Sequence, residues 1–520
     1  MVNFIIEKHG WLLESTRFDM LSVRFIQIIS ENTDKNNYRT TYMRTEKDFI
    51  GELIMPEEAL YGIHALRASK NFSNDSTFSR DWYQAIGQVK QACYQTSISF
   101  IQAAGQKYPD KPLPAGCESP DVIKLLEETA SEVALGEYFE HFIVPAVQGG
   151  AGTAINMNVN EIIANASLIK AGHKPGEYEQ IDPFIHANIF QSTNDVIPTA
   201  LKIALMKQLN LLEQNINELR SAFEKHERAN NSSLRIAYTQ MQQAVPSSFG
   251  MLFSAYSDAL SRDWWRVSKC FERIKVVNLG GGATGTGMAI PRYFIMEVVH
   301  KLRDITQLPI TRSENHTDTT QNLDTLVEVH AIMKAHAVNL EKIASDLRLL
   351  GSDTMGQYEV KLPQKQTGSS IMPGKVNPVI NEFVISCAHK VYANDMLISN
   401  LCGQGSMELN AYLPLIGNAM LESLHLLIKA NESMLHNMLA GLQIQSYTAH
   451  EKLMHSPAIT TALLPLIGYE KASELAQLMK TEKINITLAN EKLGILEPEK
   501  LEKALLPENL LKLGYSLSDL

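Results

Sequence analysis

Cysteine is scarce: 520 residues carry five, Cys93, Cys117, Cys270, Cys387 and Cys402. They are widely spread, odd in number and never paired as C-x-x-C. That spacing excludes a disulfide scaffold and a thiolate zinc site, and it fits a reducing cytoplasm. A long apolar run is also missing, since none approaches the ~18 residues a membrane span needs. There is no basic excess: 47 Lys+Arg stand against 57 Asp+Glu, a formal charge of −10. This argues against non-specific nucleic-acid binding and against an anionic membrane surface as partner. No G-x-x-x-x-G-K-[ST] occurs. The Gly280–Gly287 run is Gly-rich, but no Lys follows it and no βαβ context surrounds it, so no nucleotide cofactor is expected. What remains is 45% hydrophobic and 20% charged residues, the balance of an ordinary globular protein. The length allows a large core and several domains.

Residues 1–42 mix five basic with five acidic side chains. A secretory signal would show a basic start and an apolar block, and a transit peptide would be poor in acids. The Asn36–Thr41 stretch reads as a polar linker. Residues 1–42 are therefore read as an N-terminal extension or a mis-called start, with the remaining chain beginning at Met43. Segment 43–191 is mixed in character, with short apolar stretches broken by Pro and Gly. From about 192 to 448 the text becomes long and helical. Leu201, Leu205, Leu209, Leu212, Ile216, Leu219 and Phe223 recur at steps of three and four, one face of an amphipathic helix. Leu326, Val329, Met333, His336, Leu340, Ile343, Leu347 and Leu350 form a second, stricter seam. So narrow a seam over that length predicts a bundle of long helices. His336 falls on the seam and is read as a satisfied core histidine. Ile416, Met420, Leu427, Met434 and Met438 mark a further long helix. Ser456-Pro457 and Gly468 break the pattern, and a small helical domain is expected over 449–520.

Polar, Gly-containing stretches interrupt the helical text. One is Gln148-Gly149-Gly150-Ala151-Gly152-Thr153. Another is Gln191-Ser192-Thr193-Asn194-Asp195, directly before a long helix. A third, Thr239-Gln240-Met241-Gln242-Gln243-Ala244-Val245-Pro246, lies between helical stretches. The longest is Gly368-Ser369-Ser370-Ile371-Met372-Pro373-Gly374-Lys375-Val376-Asn377-Pro378. Singly, each reads as a cap or a turn. Together they offer hydroxyl and amide donors plus one Lys, and no thiol, His cluster or acidic metal cage. That inventory suits carboxylates or phosphates, with helix N-termini adding N–H donors. No metal ion is expected.

The GSSIMPGKVNP stretch closely resembles the signature of the fumarase/aspartase superfamily. The resemblance extends over nearly all of 43–520. The Leu60–Ala68 motif (LYGIHALRA) looks like that of the aspartate ammonia-lyases, as do the GGAGT, QSTND and Glu408-Leu409-Asn410 stretches. The resemblance implies a mainly α, three-domain fold: an N-terminal lyase domain (43–191), a central bundle (192–448) forming a tetramer core, and a small C-terminal domain (449–520). It implies a homotetramer whose active sites are shared between subunits, a small dicarboxylate substrate, and no cofactor. It implies elimination through an aci-carboxylate, with Ser369 as the base. Ser192, Thr193 and Asn194, with Thr153 and Thr239 beside them, are expected to hold the carboxylate where charge develops. Lys375 and Asn377 are expected to bind the other carboxylate.

The chain departs from the family pattern at three places. Gln240 stands where fumarases typically carry a His that helps hydroxide leave. An amine departs already protonated, so Gln240 favours an ammonia-lyase over a hydratase. Phe184 and Ile185 replace polar residues before QSTND, so a fumarase-like second dicarboxylate site is not expected. Ala289 replaces an Asn common in the family. The alternatives are a fumarate hydratase, a lyase of another succinate-type compound, and a catalytically silent helical oligomer. Ser369, Lys375 and Asn377 together speak against the last.

Overall fold

In the computed structural model every position of the two predicted helical seams is buried, on two of the longest helices of the chain. The structure describes residues 42–353 and 358–517. Residues 1–41, nearly all of the expected extension, lie outside them. The chain divides into two units after Glu58. In the first, β1 (Met43–Asp48) and β2 (Gly51–Pro56) form an antiparallel hairpin. Arg44 ties it internally, donating to Glu46 at 2.8 Å and to the Pro56 and Glu57 carbonyls.

The second unit is mainly α. It opens with α1 (Ile63–Asn71), α2 (Arg80–Lys107), α3 (Pro120–Leu135) and α4 (Thr153–Lys170). Its centre holds α5 (Thr193–Ala229), α6 (Phe249–Ser268), α7 (Arg292–Thr306), α8 (Asp324–Leu350), α9 (Val379–Cys402) and α10 (Leu413–Ser433). It ends with α11 (Ser446–His455), α12 (Leu464–Glu482), α13 (Ile486–Leu493) and α14 (Pro498–Ala504). The strands are few and short. β3 (Leu234–Thr239) and β4 (Gln242–Ser248) form a hairpin, β5 (Val276–Val277) pairs with β6 (Thr311–Arg312), and β7 (Val360–Lys361) pairs with β8 (Gln443–Ile444). α5 packs along α6, α10 and α2, while α8 packs along α9 and α6. One apolar core runs from Leu60 to Ala449, across the expected 191/192 boundary. A second cluster joins Leu234 and Ile236 of β3 to α11–α14.

Segment 43–191 holds the β1–β2 hairpin, four helices and the loops between them. Two readings of the sequence change. The Thr239 stretch is a β-hairpin turn. The helix expected through Met438 ends at Ser433, and Met434–Met438 forms one wider π turn. The two breaks stand as read: α11 stops at His455, and Gly468 is non-helical inside α12. His336 is a satisfied core residue, with Nδ1 3.0 Å from Asp263 Oδ2 and Nε2 accepting from Asn431 at 3.0 Å.

Candidate active site

Thr153 begins α4, and Ser192 caps α5. The Ser192 Oγ accepts the Asn194 N–H at 3.3 Å. The Ser192 N–H in turn donates to Asp195 Oδ1 at 3.0 Å, a reciprocal cap. The second Asp195 oxygen accepts the N–H groups of Gly280 and Gly282, at 3.1 and 2.9 Å. The Gly280–Gly287 run, set aside above as a nucleotide loop, is thus wrapped around a buried carboxylate. Burial pushes Asp195 up to about 6, against the pull of those N–H donors.

Pro198 lies in the second turn of α5 and has no N–H to give the Asn194 carbonyl. The freed oxygen is taken by Asn278 Nδ2 at 2.9 Å. Asn194 Nδ2 donates to the Ala283 carbonyl at 2.8 Å. An amide nitrogen carries two hydrogens, so one N–H of Asn194 stays available to a ligand. Thr193 and Asn194 are half-buried, and Thr153 is exposed.

Beneath this turn lies a residue that sequence reasoning missed. Lys90 of α2 is fully buried, and its ammonium donates to Asn156 Oδ1 and Gln191 Oε1, each at 2.9 Å. Burial lowers it to about 7. The signal was present: Ile86, Cys93 and Tyr94 share its face, so Lys90 falls inside an apolar stripe.

Thr239 and Gln240 are exposed on the β3–β4 hairpin. Gln240 and Met241 form its two-residue turn, both left-handed at φ 51° and 64°, as such hairpins require. Gln240 lines a cleft of about 530 Å³ with Arg235, Lys342 and Asp346.

The Ser369 loop runs between β7 and α9. Ser369 Oγ accepts two backbone N–H bonds, from Ile371 at 3.2 Å and Met372 at 3.0 Å. That pair of donors is what an alkoxide would need. The loop neck is closed by the Gly368 N–H to the Lys375 carbonyl at 2.7 Å, and by Asn377 Nδ2 to the Gly368 carbonyl at 2.8 Å. Lys375 is exposed, and Asn377 lines a cleft of about 400 Å³. Glu359, at the loop's root, is buried and accepts the Tyr238 hydroxyl at 2.5 Å and Arg235 Nε at 3.4 Å. The loop is therefore rooted beside the Thr239 hairpin.

Two groups result. Thr153 and Ser192-Thr193-Asn194 are joined through Lys90 at the start of α5. Thr239 follows the far end of that helix. The 37 residues of α5 span about 55 Å at ~1.5 Å per residue. Even if the chain from Ala229 to Thr239 doubled straight back at ~3.3 Å per residue, about 20 Å would remain. A four-carbon dicarboxylate spans only about 6 Å at ~1.5 Å per bond. One chain does not bring Thr239 and the Ser192–Asn194 turn onto one such molecule.

The Lyase family profile matches residues 52–393, and the Fumarase C C-terminus profile matches residues 459–512. The aspartate ammonia-lyase of Bacillus subtilis (strain 168) is 35% identical, covering 92% of this chain and 98% of its own length. That of Helicobacter pylori (strain ATCC 700392 / 26695) is 36% identical, covering 90% and 98%. Among solved structures, a fumarate lyase:delta crystallin from Brucella melitensis superposes with a TM-score of 0.81 at 32% identity, covering 90% of this chain and 99% of that one. A class II fumarase from Schistosoma mansoni also gives 0.81, at 25% identity, covering 90% and 98%. With profile, relatives and fold in agreement, the chain belongs to the aspartase family of the fumarase/aspartase superfamily.

Proposed function

We propose that this chain is an aspartate ammonia-lyase, a carbon–nitrogen lyase that converts L-aspartate reversibly to fumarate and ammonia. The observation that carries the reading is identity of 33–36% to curated aspartate ammonia-lyases over nine-tenths of the chain. The C–H next to a carboxylate is a weak acid, and removing its proton leaves a doubly charged aci-carboxylate. The catalytic demand is for fixed donors at the oxygens that gain charge. Ser369 is the base, its alkoxide supported by the Ile371 and Met372 N–H groups. Ser192, Thr193 and Asn194, with Thr153 and Thr239, receive the aci-carboxylate. Lys375 binds the other carboxylate, assisted by the Asn377 N–H that does not hold the loop neck. The chain works in the cytoplasm as a homotetramer whose sites combine residues of different subunits. The separation of Thr239 from the Ser192–Asn194 turn supports that assembly, because convergence on one substrate then requires a second copy.

Gln240 selects between the ammonia-lyase and a hydratase. An amide does not titrate, so it supplies no proton to departing hydroxide, whereas ammonium leaves with its own. A placed general acid contributes typically ~10²–10⁴-fold. The test is kcat/KM for L-aspartate and L-malate under the same conditions. The aspartate value should exceed the malate value by at least ~10²-fold. Equal values, or a larger malate value, would move the chain to the hydratases.

A further inference from the structure

Lys90 is bonded to the starts of both helices that carry the carboxylate donors. Asn156 stands three residues after Thr153 in the first turn of α4, and Gln191 immediately precedes Ser192. The amides continue the connection. Asn156 Nδ2 donates to Asn188 Oδ1 at 3.1 Å, and Asn188 Nδ2 donates to the Gln191 carbonyl at 3.1 Å. The result is a closed ring of three neutral amides around one cation. A ring needed only for packing gains nothing from the ammonium, because burying an ion costs several kcal/mol and an apolar chain of similar length fills the space. The groups facing Lys90 do not explain it as an ion pair. Burial pushes Cys93 and Tyr94 up, leaving both neutral, and the remaining acid, Asp195, is already bonded to three backbone N–H groups.

We propose that Lys90 is a positioning residue for the elimination: it locks the starts of α4 and α5 into one anion-binding unit and sets a buried positive charge behind the donors, matched to the aci-carboxylate. The inference rests on the aspartase reading above. The physical reason is differential. Proton removal adds a whole negative charge at the carboxylate held by Thr153 and Ser192–Asn194. Attraction to a fixed cation grows with that charge, and burial keeps it poorly screened. In the ligand-free chain Lys90 titrates at about 7, and an anion arriving at the donors draws a proton onto it.

Two variants separate charge from shape. Lys90→Gln retains a donating amide without the charge. Asn156→Asp leaves Lys90 in place and neutralises it with an isosteric carboxylate. On the assembled full-length protein, kcat and KM for L-aspartate are measured, with inhibition constants for succinate and for the nitronate form of 3-nitropropionate. The nitronate carries the charge pattern of an aci-carboxylate, and succinate that of a ground-state dicarboxylate. Both variants should lose kcat by ~10²-fold, shift KM by less than about fivefold, and lower the nitronate-to-succinate affinity ratio by at least ~30-fold. An unchanged ratio in folded Asn156→Asp overturns the proposal, even if Lys90→Gln does not assemble. A wild type that neither deaminates aspartate nor prefers the nitronate removes the aspartase reading itself. A wild type that does both, with the ratio unchanged in the variants, removes only the role of Lys90.

Discussion

Gly368→Ala tests whether the closed loop neck is what presents Ser369 and Lys375. A Cβ at Gly368 would lie 2.9 Å from Asn377 Cγ, from the Asn377 nitrogen and from the Lys375 carbonyl oxygen. Two of these are backbone atoms, so the neck must open rather than a side chain swing aside. Opening breaks the Gly368 N–H bond to Lys375 and the Asn377 bond to the Gly368 carbonyl. At about 1 kcal/mol each, closure loses about 2 kcal/mol. That converts to a roughly 30-fold drop in kcat/KM. Gly374→Ala is the control: Gly374 is left-handed at φ 77°, and its added Cβ meets nothing within 4 Å. It carries backbone strain of about 1 kcal/mol and no clash, so its loss should stay below about tenfold. The assay is the rise of fumarate absorbance from L-aspartate, with thermal unfolding alongside. The melting temperature should hardly move, because the loop is largely exposed. A Gly368→Ala enzyme within about threefold of wild type, a cost below ~0.7 kcal/mol, would refute the reasoning.

Ser369→Ala should lower kcat by several orders of magnitude with the oligomer intact; retention of more than about a tenth, a cost under ~1.4 kcal/mol, removes Ser369 as the base. Inactive Ser369→Ala and Thr153→Ala chains, unfolded and refolded together, should regain activity at about a quarter of the sites if these residues come from different subunits. No recovery in demonstrated hybrids would place both in one chain. Lys90 gives a pH signature. Its folded value is depressed to about 7 from 10.5, so the stability it contributes is present above 10.5 and lost as pH falls toward 7. Against Lys90→Met, the wild type should lose about 2 kcal/mol as pH falls from about 9 to 7, read from urea midpoints. A pH-independent difference would show that the ammonium carries no desolvation cost.

The helical seams were legible because helix periodicity is local. Residues three and four apart share a face whatever the rest of the chain does, so Leu326–Leu350 announced its helix and placed His336 inside. The loop chemistry was legible for the same reason, since Ser369 and the N–H groups of Ile371 and Met372 are sequence neighbours. Capping of α5 by Ser192 and the breaks at Ser456-Pro457 and Gly468 also lie within a few residues of their causes. Only the tertiary structure decided what depends on distant partners. α2 is buried over most of its circumference, Lys90 included, because α3, α5 and α7 pack around it. The β3–β4 turn is made by Gln240 and Met241 rather than by Asn and Gly, so no turn residue announced it. The carbonyl freed by Pro198 is satisfied by Asn278, far along the chain, and Lys90 became a buried cation because Asn156 and Gln191 were folded against it. The distance between Thr239 and the Ser192–Asn194 turn has the same origin: sequence names donors, but the length of a rigid helix decides which of them a small molecule can touch within one chain.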